Sequence, residues 1–110
     1  MPKFILLYKG PATDPMKMSP DQRNAVMAQW NAWFAKYGDN VADAGLPFKP
    51  GAAIKGDGSD ARATKLTGYT IVEAPNMRSA KAMAKRHPFL ADGKPRFAIE
   101  IFELMPMPGG

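Results

Sequence analysis

The stretch Phe4-Ile5-Leu6-Leu7-Tyr8 constrains this chain more than any other, because it is apolar on both sides of the strand it forms. Its β-branched and aromatic content suits a strand, and Pro2 and Gly10-Pro11 bound it. Successive strand side chains point to opposite faces, so Phe4, Leu6 and Tyr8 share one face and Ile5 and Leu7 the other. Both faces therefore need a cover.

One cover is a helix. A loop with Pro11, Asp14 and Pro15 leads to Ser19-Pro20-Asp21-Gln22, which reads as a helix start: serine as N-cap, proline at the first helical position, glutamine completing a capping box. Val26, Met27, Trp30, Trp33, Phe34 and Tyr37 then recur at three- and four-residue steps, an apolar stripe expected to face the core. Gly38 lowers helix propensity by about 1 kcal/mol relative to alanine. Val41 and Ala44 keep the phase, so the helix is expected to run on, bent at Gly38, to a stop at Gly45.

Leu46 to Lys55 carries Pro47, Pro50 and Gly51 and is expected to be an interrupted edge strand, since proline cannot donate to a ladder. A polar turn from Gly56 to Thr64 follows, and Lys65 to Ala74 reads as a well-formed strand. Asn76 caps a second helix with Met77, Ala80, Met83 and Ala84 inward, ended by Pro88. Phe97 to Leu104 is the last strand.

The order is β-α-β-β-α-β, which predicts an α+β, ferredoxin-like antiparallel sheet with two helices on one face. The helices leave the other face bare. Yet the first strand is apolar on both sides, and the last offers Phe97, Ile99 and Ile101 on one side and Ala98, Phe102 and Leu104 on the other. An apolar patch of that size exceeds what soluble monomers usually expose. A homodimer with two sheets packed face to face, a dimeric α+β barrel, is the expected solution.

With 110 residues and no cysteine, the chain is expected to form one domain over residues 1–104, with a mobile tail at 105–110 and no disulfide. A single histidine and no cysteine leave too few ligands for the common zinc constellations, so no metal or other cofactor is expected. No apolar stretch is long enough to span a membrane and no signal-peptide pattern follows Met1, so a cytoplasmic location and no membrane partner are expected. The net charge of +5 comes from scattered residues and names no partner.

Four stretches together resemble the YCII-related (YciI-like, DGPF) domain family. They are the opening Lys3-Phe4-Ile5-Leu6-Leu7-Tyr8, the segment Leu66-Thr67-Gly68-Tyr69-Thr70-Ile71-Val72-Glu73-Ala74, the helix end His87-Pro88-Phe89-Leu90, and the closing Ile99-Glu100-Ile101-Phe102-Glu103. The resemblance runs from about Lys3 to Leu104 and implies the dimeric ferredoxin-like barrel. A few family members carry out dehydrochlorination in aromatic degradation, others carry a His-Asp pair, and many are encoded beside alternative sigma factors. This chain departs from the family pattern twice. Its first helix offers Trp30, Trp33 and Phe34 but no histidine, with His87 standing where relatives place an aspartate before the proline. The loop that reads Asp-Gly-Pro-Phe in relatives reads Asp60-Ala61-Arg62-Ala63 here.

His87 is the natural general acid or base, being the only side chain that ordinarily titrates near neutral pH. It prolongs the apolar stripe of the second helix; alternatively, it only complements the helix dipole ahead of Pro88. Glu100 interrupts the apolar last strand and is the candidate charge partner of His87, against the plainer reading of a glutamate facing water. If it is buried instead, it needs His87 or Arg96 to offset its desolvation. Tyr8 and Tyr69, together with Pro50 and Phe89, are candidates to line a substrate pocket, against ordinary packing.

The stretch Gly56-Asp57-Gly58-Ser59 lacks the ending and the following helix of a phosphate loop and reads as a hairpin turn. Arg78, Lys81 and Lys85 form a basic stripe without interleaved aromatics, so no nucleic-acid partner is expected. Two functions remain: a small lyase or hydrolase moving a proton through His87 on a small organic acid or aromatic metabolite, or a non-catalytic small-molecule-binding or regulatory module, in which case a sigma factor is a candidate partner.

Overall fold

The computed structural model of the chain describes residues 1–10, 18–90, 93 and 96–106. The loop of Pro11, Asp14 and Pro15 and the tail's last residues, 107–110, lie outside the described residues. The elements run β1 (Lys3–Lys9), α1 (Pro20–Tyr37), β2 (Val41–Asp43), β3 (Ala53–Ile54), β4 (Asp60–Ala61), β5 (Leu66–Glu73), α2 (Met77–Lys85) and β6 (Ala98–Leu104). The four-stranded sheet has the order β2-β5-β1-β6 with every pair antiparallel, the ferredoxin-like arrangement.

β1 sits in the middle of this sheet, which is why it tolerates no charged side chain on either face from Phe4 to Tyr8. Register pairs Leu6 with Thr70 and Ile101, and Tyr8 with Gly68 and Ile99. On the helix side Phe4, Leu6 and Val72 are fully buried, each contributing about 1.5–3 kcal/mol of apolar burial. Ala80, Met83 and Ala84 of α2 and Trp33 of α1 complete this core.

Both helices start as their caps dictate. The Ser19 hydroxyl accepts the Gln22 amide at 3.1 Å and the Gln22 side chain accepts the Ser19 amide at 2.9 Å; the Asn76 side chain accepts the Ser79 amide at 2.9 Å.

The end of α1 corrects the sequence expectation. The helix stops at Tyr37, and a 3-10 turn over Gly38–Asn40 hands the chain to β2. Asn40 donates to the Glu73 carbonyl at 3.2 Å, and Val41 pairs with Val72, so the sheet takes up residues whose spacing also fitted a helix. Gly45 is no helix stop. It lies at φ +77 with its α-carbon against the Tyr69 carbonyl, where a β-carbon would meet that oxygen at 1.7 Å.

Two further expectations change. The stripe of α1 does not face the core along its length: Trp33 is buried, but Met27 is 59% exposed and, with Trp30 and Phe34, lines an open cleft. Leu46 to Lys55 is not the sheet's edge strand. Pro47 makes a single bridge to Gly68, and Ala53–Ile54 instead pairs with Asp60–Ala61 in a separate two-stranded hairpin. Its turn is the Gly56-to-Ser59 stretch, closed by Lys55 amide to Ser59 carbonyl at 2.8 Å.

The face of the sheet away from the helices carries Ile5, Leu7, Ile71 and Tyr69, all half-buried, with Phe102 and Leu104 exposed. No helix among the described residues is long and apolar enough to cross a membrane, and none of them group three or more metal-ligating side chains.

Candidate functional site

The site grows from an alternation on β5. Gly68, Thr70 and Val72 point to the helix side, and Thr70 is the one polar group among them, fully buried. Tyr8, opposite Gly68 on β1, lays its ring over the missing side chain and brings its hydroxyl to the Thr70 hydroxyl. α2 ends at Lys85, and its continuation carries His87 under the same hydroxyl, with Nε2 at 3.0 Å.

Proton positions follow from the partners. The Phe89 amide donates to His87 Nδ1 at 3.1 Å, so Nδ1 is a lone pair and Nε2 carries the hydrogen. Nε2 donates to the Tyr8 oxygen, Tyr8 donates to Thr70, and Thr70 donates to the Ala44 carbonyl at 3.0 Å. No buried side-chain nitrogen or oxygen among the described residues is left unpaired.

Electrostatics agree with this direction. His87 is 2% exposed, ringed by Trp30 and Trp33, each with its ring centre 4.6 Å away, and by Tyr8 at 4.8 Å. Burial depresses its pKa from the ordinary 6.5 to about 4, so the imidazole is neutral. Burial also pushes the Tyr8 phenol up to about 12. Tyr8 is thus a permanent hydroxyl at neutral pH, and His87 has neither a free lone pair nor an open approach.

Above Tyr8 and Thr70 opens a cleft of about 600 Å3 between α1 and the loop after β2. Trp30, Phe34, Met27 and Phe89 wall one side, with Leu46 and Pro47 on the other. The walls are mostly carbon; the polar side chains of the lining are Tyr8 and the fully buried Thr70, with Thr67 and Tyr69 beside them.

Of the residues singled out by sequence, Tyr8 and Phe89 line the cleft and touch His87. Tyr69 borders it from the other strand face, its hydroxyl donating to Asp43 at 2.9 Å, which raises its pKa. Pro50 is exposed and does not line it. Glu100 is not brought to His87: it pairs with Leu7 on the opposite face of the sheet and forms a half-exposed ion pair with Lys9 at 3.3 Å. Sequence reasoning passed over Thr70, although a threonine in the inward series of a strand was the available signal.

A family model described as the YCII-related domain matches residues 1–107. The chain belongs to the YCII-related domain family. In this YCII-related domain the aromatic pair Trp30 and Phe34 and the Tyr8–His87 contact occupy the helix side of the sheet. No curated protein matches the chain. Among solved structures it is similar to 5-chloro-2-hydroxyhydroquinone dehydrochlorinase from Burkholderia phenoliruptrix AC1100, determined in complex with 2,5-dihydroxybenzoquinone. The two share 19% identity at a TM-score of 0.55, over 94% of this chain and 93% of that one, which establishes a common fold.

Proposed function

We propose that this YCII-related domain binds a small, flat organic acid or aromatic metabolite in the cleft over Tyr8. One observation carries the reading: a largely carbon-walled cleft of about 600 Å3 has the Tyr8 hydroxyl, bonded to Thr70, among its few polar groups, beside Thr67 and Tyr69. Apolar walls with a few convergent polar groups are the ordinary makeup of a small-molecule site. The ring of the ligand stacks on Trp30 and Phe34, and an oxygen of the ligand takes the Tyr8 hydrogen in place of Thr70.

A lyase activity is the second reading, favoured by the dehydrochlorinase that shares the fold. In it Tyr8 hydrogen-bonds a substrate oxygen and orients the ring, while the charge of the substrate's ionised hydroxyl passes through the ring to the carbon–chlorine bond and leaves with chloride; His87 Nε2–H supports Tyr8 from behind. A neutral, high-pKa phenol suits that work better than the buried imidazole suits direct proton abstraction. His87 is then a positioning residue, and the substrate's own ionised hydroxyl supplies the electrons.

The bare apolar sheet face belongs to the same proposal. Two copies packed through Ile5, Leu7, Ile71 and Phe102 bury it as a homodimer.

Calorimetric titration with hydroxylated benzoquinones, and turnover of chlorinated hydroquinones followed by chloride release, test both readings. Binding that weakens about tenfold in Tyr8→Phe is expected. Unchanged affinity in that variant sinks the cleft, and binding without chloride release leaves the non-catalytic module as the function.

A further inference from the structure

We propose that a second cavity, between the C-terminal ends of α1 and α2, binds a small organic anion: a carboxylate borne on an aromatic or apolar body. α1 ends in Lys36-Tyr37 and α2 runs out through Lys85-Arg86, and the two ends converge on a cavity of about 410 Å3. Lys36, Lys85 and Arg86 supply three cations and Gln29 an amide, while no acidic side chain among the described residues lines the space. Among the described residues none of the three cations has a carboxylate within 4.0 Å. Cations near a helix C-terminus complement its dipole. Two such ends carry about one negative charge between them, so three cations around one acid-free concavity leave a surplus that an anion balances.

The apolar side of the cavity sets the ligand class. Trp33 is 3% exposed and its indole N–H is committed to the Met83 carbonyl at 3.0 Å, so only carbon is offered there. Tyr37 adds a half-buried ring. A bare inorganic ion uses the cations and leaves this surface wet; an aromatic carboxylate uses both. The cavity is separate from the cleft over Tyr8. Trp30 and Phe34 face the cleft, Trp33 and Tyr37 face the cavity, and the His87 ring packed between the two tryptophans is the partition.

Amide chemical shifts of the full chain, titrated with benzoate, benzyl alcohol and inorganic phosphate, test the assignment. Benzoate is expected to give saturable shifts at Lys36, Tyr37, Lys85 and Arg86. The alcohol and the phosphate, each lacking half of the recognition, are expected to bind at least about tenfold more weakly. Lys36→Gln combined with Arg86→Gln is expected to weaken benzoate about tenfold. Both side chains are exposed, and if the pair does not fold, the single variants decide the matter, each expected to lose about threefold. Benzoate shifts confined to Gly45 through Thr70, phosphate binding as tight as benzoate, no saturation, or full affinity in the variants would each overturn the proposal.

Discussion

The Tyr8 hydroxyl and His87 Nε2 lie 3.0 Å apart although 79 positions separate them in the chain. The contact makes the lone histidine a buried, neutral hydrogen-bond donor and makes the tyrosine the group that meets the cleft. In the proposed function the working group is therefore the phenol rather than the imidazole.

Acid weakens the fold through His87. Its pKa is about 4 when folded and 6.5 ordinarily, so the unfolded chain binds the proton more readily. The stability that depends on a neutral ring is complete above pH 6.5 and declines as pH falls toward 4, by about 3 kcal/mol over the window. Urea unfolding at a series of pH values, compared with His87→Phe, measures it: the slope is expected to shrink in the variant.

Thr70→Val keeps the shape and removes a hydroxyl. The Tyr8 hydrogen and the Ala44 carbonyl each lose a buried partner, at a cost of about 1–3 kcal/mol. Denaturation midpoints read the loss.

Gly45→Ala combines a positive φ with a β-carbon 1.7 Å from the Tyr69 carbonyl oxygen. The loop must shift, which displaces Ala44 from Thr70 and widens the cleft wall. A loss of more than about 2 kcal/mol is expected in thermal unfolding. Gly56→Ala, with nothing within 4 Å of the added carbon, is expected to fall within about 0.5 kcal/mol of the parent.

Phe102→Lys places a charge on the bare face, where Phe102 is 53% exposed. Light scattering is expected to show a dimer for the parent and a monomer for this variant, with far-ultraviolet dichroism unchanged. A monomeric parent at micromolar concentration removes the homodimer from the proposal.

What the chain declares locally, it declares well. Capping at Ser19 and Asn76, the strand alternation of Lys3–Lys9 and Leu66–Glu73, the inward stripe Ala80, Met83 and Ala84 of α2, from which Met77 departs by being exposed, and the Gly56 turn are all set by residues within a few positions of one another, and their order specifies the ferredoxin-like fold. Three outcomes were decided only by distant partners. Val41–Asp43 fits a helix by spacing but forms a strand, because β5 offers it an open edge and the Asn40 side chain ties it there. Glu100 and His87 are both conspicuous in sequence, yet the odd-even alternation of β6 places the glutamate on the far side of the sheet. The state of the histidine is tertiary as well. Two tryptophans from α1, a phenol from β1 and an amide from the turn after α2 remove it from water, and a pKa follows the surroundings of a group rather than its neighbours in the chain.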